Sequence, residues 1–231
     1  MAQASHGPVL DSLGLRISAG GLAPGAVLTL AGLESEYGVS RTVIREAVRV
    51  LEAMGMLESR RRVGVTVLPA ERWSALDTRL IGWQLQGPGR DQQLAVVTEL
   101  RAAIEPVAAR LSAQRASDVQ RAEILRLAQR LEELGEAGLG NTDEYLAKDI
   151  AFHDLILDTS GNLMLAATKS AIAAVIAGRS HLGLTPDVPH SEALHNHVQT
   201  AAAIARGDAE AAEHHTRRYV DAVLREVRTT P

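Results

Sequence analysis

The chain has 231 residues, room for one large domain or two smaller ones. Hydrophobic residues make up 46% and aromatics only 3%, so Leu, Val, Ile and Ala must fill the core; with no cysteine, disulfides and thiolate metal sites are excluded and a reducing compartment is suited. A net charge of -4 excludes a generally basic nucleic-acid coat, yet residues 41–62 hold six arginines against three glutamates, so positive charge is concentrated locally on an acidic body.

The start, MAQASHGPVL, lacks the basic-then-apolar layout of a secretory signal. The longest apolar patch, AIAAVIA at 171–177, is too short to span a bilayer. A cytoplasmic protein without a membrane partner is expected. Residues 8–20 read as a short helix, GGLAPG at 20–25 as turn chemistry, and 29–38 as a second short helix capped by Thr29. Tyr37, Gly38 and Val39 form a tight turn into SRTVIREAVRVLEAMG at 40–55. Ser40 is a good helix start there and Gly55 a good stop.

Projected at 100° per residue, Val43, Ala47, Val50, Leu51 and Met54 form one apolar stripe. Arg41, Arg45 and Arg49 fall on the opposite face. The plain alternative to a docking surface is a solvated row softened by Glu46 and Glu52. The ends of LESRRRVGVTVL at 57–68 are β-prone, with a charged turn at 61–64. Helix, helix, turn, helix and small hairpin is the order of a winged helix-turn-helix. The expected organisation is that unit over 1–69, a linker over 70–90 holding both tryptophans, and an all-α domain over 91–231. The last reads as helices near 91–115, 118–138, 142–159, 161–182, 190–206 and 208–228, with Pro106 a candidate kink in the first.

Several motifs in order resemble one family over almost the whole chain. They are GGLAPG, GVSRTVIREAVRVLEAMGMLESRRRVGVTV, ELRAAIEP at 99–106, DIAFHDLILDTSGN at 149–162, His197, and IARGDAEAA at 204–212. Together they are similar to GntR-family transcription regulators of the FadR-like group, whose effector domain is the all-helical FCD type. The resemblance implies a mainly α protein that binds a palindromic double-stranded DNA operator as a homodimer, usually as a repressor, and answers to a small effector. It places Arg41 and Arg45 at base edges in the major groove, where an arginine can donate twice to guanine. Arg49 falls on phosphate, and Ser40 and Thr42 on phosphate or base. Gly64 matches the wing-tip glycine near the minor groove, with Arg60 to Arg62 as phosphate contacts or a solvated run. The helix before the turn, TLAGLESE, lacks the basic residue some relatives use, which implies a different specificity.

Asp149 and His153 are four residues apart, on one helical face. The resemblance adds His197 and a third histidine as ligands of a divalent metal, with Zn, Ni, Mn or Fe suited to imidazole and carboxylate. The fourth position here is Tyr219, a poorer ligand. His215, a water or an effector oxygen could complete the shell, and a metal-free polar pocket is the alternative. His181, His190, His195 and His214 match no ligand position. Arg101 matches an arginine of the effector cavity, suited to gripping a carboxylate; the alternative is an i,i+4 pair with Glu105. Arg101 and Tyr219 are therefore expected at a small carboxylate effector. WSALDTRLIGW at 73–83 resembles the linker of members that sense sugar acids such as galactonate or gluconate, the alternative being that Trp73 and Trp83 only pack linker on bundle. The rival function is a metal-dependent enzyme using Asp149, His153 and His197, which leaves the arginine helix and wing without a role. A third reading is a regulator whose pocket is only structural.

Overall fold

In the computed structural model, which describes residues 6–229, the chain divides between Arg90 and Asp91 into two compact units. The first begins with α1 (Gly7–Ser18), which has Pro8 in its first turn and buries Val9, Leu10, Leu13 and Ile17 at helical spacing. A two-residue strand, β1 (Val27–Leu28), leads to α2 (Leu30–Tyr37). Thr29 Oγ1 caps α2 by accepting from Gly32 N at 3.0 Å, and Gly38, at φ 63°, ends it and turns the chain into α3 (Arg41–Ala53). Gly55, at φ 73°, closes α3, and a side chain there would run into the Arg72 carbonyl.

The apolar stripe of α3 is rotated from the sequence expectation. Ile44, Ala47, Val48, Leu51 and Met54 are buried, whereas Val43 and Val50 are only half-buried. Ile44 and Val48 shift the centre of the core-facing side by about 50°. Arg41, Arg45 and Arg49 remain exposed. β2 (Leu57–Arg60) and β3 (Gly64–Val67) make the expected hairpin, but β1 adds a third strand, giving the antiparallel order β1-β3-β2. Val27 pairs with Thr66 and Leu28 with Val65, while Arg60 pairs with Gly64.

Residues 70–90, expected as a linker, hold a 3-10 turn (Ala70–Arg72) and α4 (Thr78–Gln86), whose cap is Asp77. Trp83 lies over α1 where Gly14 leaves no side chain in its way, and Arg79 Nη1 reaches Asp11 at 3.0 Å. Trp73 donates Nε1–H to the Leu68 carbonyl at 3.0 Å. Both indoles thus pack with the core of α1, α3 and the sheet.

The second unit is helical: α5 (Arg90–Arg115), α6 (Asp118–Glu136), α7 (Asp143–Thr159), α8 (Leu163–Ala166), α9 (Lys169–His181), α10 (Ser191–Arg206) and α11 (Ala209–Thr229). α5 runs on through Pro106, and Ser117 with Gln120 forms a capping box at the start of α6. The single helix expected over 161–182 is broken at Ala167–Thr168 into α8 and α9. Leu127 and Leu131, Phe152 and Ile156, Ile172 and Ile176, and Ile204 fill the core between α6, α7, α9 and α10. Residues 163–181, mean hydropathy 1.2, form the stretch with the length and composition of a membrane span among the described residues; it is broken at Ala167–Thr168, and its Ala171, Ile172, Val175 and Ile176 are buried in the bundle.

Candidate functional site

The exposed side of α3 presents Arg41, Thr42, Arg45 and Arg49 to solvent. Ser40, extended at φ -68° and ψ 154°, holds the N-cap position, yet its hydroxyl makes no capping bond. That hydroxyl and the first amides of α3 lie at the positive end of the helix dipole, where an anion is favoured. Arg49 Nη1 meets Glu46 at 2.7 Å and Arg41 Nε stands 3.7 Å from Glu34. Arg45 makes no ion pair among the described residues. Exposed pairs of this kind contribute about 0–1 kcal/mol, so they do not tie the arginines down.

The tip of the wing is Arg61–Val63, all exposed, with Arg62 at φ 65° the non-glycine residue in the left-handed region. Gly64 begins β3, just behind the tip. At φ 121° it is strained for any other residue, and a β-carbon there would lie 2.6 Å from the Leu28 carbonyl oxygen. The close approach that requires glycine is therefore internal, between β3 and β1.

The second cluster gathers inside the helical unit. Arg101 of α5 is 1% exposed. Its Nε donates to Glu105 Oε1 at 2.6 Å, and its Nη2 lies 3.3 Å from both the Tyr219 hydroxyl and His153 Nε2. The i,i+4 pair with Glu105 is thus formed, while the far side of the guanidinium still faces α7 and α11. Glu105 also places Oε2 3.2 Å from Nδ1 of His153. Its i,i+4 spacing was visible in sequence, its grip on His153 was not. Burial works against a charged Glu105, but the Arg101 charge, with His153, holds its carboxyl down to about 2. Burial likewise opposes a charged His153, while the Glu105 carboxylate and the bond to Asp149 lift it to about 9.

Asp149 Oδ1 lies 3.4 Å from His153 Nε2 and 3.6 Å from His197 Nε2. His197 Nδ1 sits 2.9 Å from the Ala193 carbonyl, which only accepts, so Nδ1–H donates to it and Nε2 is left facing Asp149. That nitrogen and the Asp149 oxygen are both buried without a hydrogen-bond partner. A proton or a metal ion between them would satisfy both. One ligand atom from each of Asp149, His153 and His197 lies within 4.8 Å of the others, and Glu105 and the Ala193 carbonyl orient the imidazoles as outer partners do at metal sites. The three residues fit a divalent ion. Burial pushes the Tyr219 hydroxyl up to about 12, so it stays a neutral phenol and a weak ligand. His215 turns away from the cluster, its Nδ1 bonded to Asn196 Oδ1 at 3.1 Å, and so does not replace the missing histidine. His181, His190, His195 and His214 are exposed.

Beside this cluster is a cavity of about 70 Å3, lined on one side by Arg101, Asp149, His197 and Tyr219. Behind Tyr219, a cavity of about 10 Å3 lies against Thr200, Thr216 and Glu105, about the room one water needs.

A helix-turn-helix with a three-stranded wing, joined to a helical unit with a polar cavity, defines a DNA-binding transcription regulator with an effector-type domain. Residues 8–67 match the bacterial regulatory proteins of the gntR family and residues 96–222 match the FCD domain. The chain belongs to the GntR family, in its FadR-like group with an FCD domain. It is 30% identical over 211 residues, 89% of each chain, to the galactonate operon transcriptional repressor of Escherichia coli K12. It is 28% identical to a probable D-xylose utilization operon transcriptional repressor of Paenarthrobacter nicotinovorans, over 94% of this chain and 85% of that one. Among solved structures, a Streptococcus agalactiae GntR protein is 27% identical, covering 95% of this chain and 99% of its own at a TM-score of 0.52. A Listeria monocytogenes regulator at 15% identity and TM-score 0.67 shares the fold over the full length of both chains. These likenesses are to regulators, which sets aside the enzyme reading of the Asp149, His153 and His197 cluster.

Proposed function

We propose that the protein is a homodimeric repressor that releases a palindromic operator when a small carboxylate, of the sugar-acid class, enters the helical unit. Arg41 and Arg45 read base edges, and Arg49, Ser40 and Thr42 with Arg60 to Arg62 hold phosphates. Gly64 serves by letting the wing close on β1. Inside the bundle, Arg101 and Tyr219 bind the effector. Asp149, His153 and His197 would hold a Zn, Ni, Mn or Fe ion, which when bound supplies positive charge to an anionic oxygen of the effector.

The observation that carries the effector reading is the buried guanidinium of Arg101, which bonds to Tyr219 in the cavity wall, with the unpartnered Asp149 Oδ1 and His197 Nε2 on residues of the same wall. The name of the galactonate repressor, similar over 89% of both chains, supports the sugar-acid class. For the effector to act, it must bind the operator-free arrangement more tightly than the operator-bound one. A thermal-shift panel of aldonates with and without added metal tests the assignment, because a ligand of the folded state raises its melting temperature by mass action. An aldonate that stabilises the wild type, but not an Arg101→Met variant, supports it. No response to any aldonate or metal overturns the sugar-acid class.

A further inference from the structure

The cavity is smaller than the ligand class just proposed. An interior space of roughly 150 Å3 accommodates benzene, with six heavy atoms. A six-carbon aldonate has more than twice as many, and the cavity is about 70 Å3. The pocket opens partly to solvent, and displacing a wall would give it the room such a ligand needs. Nine of the lining residues sit on α5, α7, α9, α10 and α11, whereas Thr185, Pro186, Pro189 and His190 belong to the irregular α9–α10 connection. That connection is the wall without a helical backbone.

It is clasped against the end of α6. The Gly140 amide, just past α6, donates to the Asp187 carbonyl at 2.7 Å. A β-carbon at 140 would stand 2.5 Å from the Pro186 carbonyl oxygen and 2.7 Å from the Pro189 ring. Both Gly140 and Pro189 are buried, while Pro186, Asp187, Val188 and His190 are exposed. The loop is thus an exposed strap with one buried clasp, and segments with few buried contacts open at lower free energy than the core.

Resting on the sugar-acid reading, we infer that residues 183–190 are a gate over the effector cavity, latched by the seating of Pro189 on Gly140, and that ligand entry requires this clasp to open. Gly140 and Pro189 act through the loop as positioning residues. The latch sets how often the cavity is open, and so both the rate of entry and the rate of escape.

The absence of cysteine allows a single-thiol test on the full chain. Val223 lines the cavity and is buried. A Val223→Cys variant should react with a bulky disulfide reagent at a rate that rises with the time the gate spends open. Adding Gly140→Ala forces the clasp apart and should make that thiol react roughly tenfold faster. Ala128→Cys, fully buried in α6, reports opening of the whole unit and should not accelerate. If Gly140→Ala speeds both thiols alike, the decision passes to Pro189→Ala, which removes the ring without adding an atom. Faster reaction at 223 alone in either latch variant supports the gate; unchanged reaction at 223, or equal acceleration at both sites in both variants, overturns it. Galactonate with zinc, added to the otherwise native Val223→Cys protein, separates the two readings. Labelling slower than with zinc alone supports the sugar-acid class, whereas no protection beyond that of zinc alone, together with a working latch, removes that class and leaves the gate.

Discussion

Arg101 donates its Nε–H to Glu105 across 2.6 Å, one turn along the same helix and sealed from solvent on both sides. Two charges taken out of water depend on each other: removing one partner of a buried pair costs about 3–5 kcal/mol, because the other is left uncompensated. Glu105→Ala is therefore expected to lower the unfolding free energy by about that amount in denaturant melts. The double variant Arg101→Met with Glu105→Leu should lose much less than the sum of the two single changes. Additive losses would mean that the pair is not the energetic unit its geometry describes.

The arginine row of α3 gives a prediction that separates reading from holding. Arg41→Ala and Arg45→Ala should each weaken operator binding by about 1–3 kcal/mol and relax preference at one base position per half-site. Arg49→Ala should weaken binding to all sequences alike and reduce the salt slope by about one. Titrations at several salt concentrations, against the operator and a scrambled duplex, check both. Equal losses on the two duplexes for Arg41→Ala would move that residue to the phosphates.

The elements legible in sequence are those whose signals are local. Thr29, Gly38 and Gly55 mark helix ends by their own chemistry, and the structure uses each as such. The phase of α3 is not legible in sequence, because Ile44 and Val48, both apolar, lie about a quarter turn from the stripe centred near Val43, and only the packed core decides which apolar side turns inward. β1 is two residues long and pairs with a strand almost forty positions away, which leaves no periodicity to read. The break at Ala167–Thr168 carries neither glycine nor proline. At the cavity, Asp149 and His153 could be placed on one helix face from spacing alone, whereas His197 came only from family resemblance. The roles of Glu105 toward His153 and of Gly140 toward Pro189 depend on how separate segments pack, and no spacing encodes that.

Gly64 tests whether a wing glycine serves DNA or the fold. Because a β-carbon there would meet the Leu28 carbonyl, and because φ is 121°, Gly64→Ala should destabilise the first unit by about 1–3 kcal/mol before any DNA is added. Calorimetry on the free protein checks this. An unchanged melt combined with lost operator affinity would return the glycine to the DNA surface.

Tyr219 stands at the position that would complete a metal shell of Asp149, His153 and His197. Its ring centre lies 4.0 Å from that of His197, and its hydroxyl stays protonated while bonded to Arg101. Tyr219→His would add an imidazole beside Asp149, His153 and His197 and should tighten zinc binding, by about tenfold or more if the new nitrogen reaches the ion. Tyr219→Phe should leave zinc stoichiometry unchanged and weaken the effector, since only the hydroxyl is lost. Asp149→Asn should lose the metal, because the one anionic ligand of the three is gone. Competition titration with a chelator gives the zinc affinities and elemental analysis the stoichiometry. Zinc retained fully by Asp149→Asn would show that the ion, if bound at all, lies elsewhere, while a Phe variant that sheds its zinc would make the phenol a ligand after all.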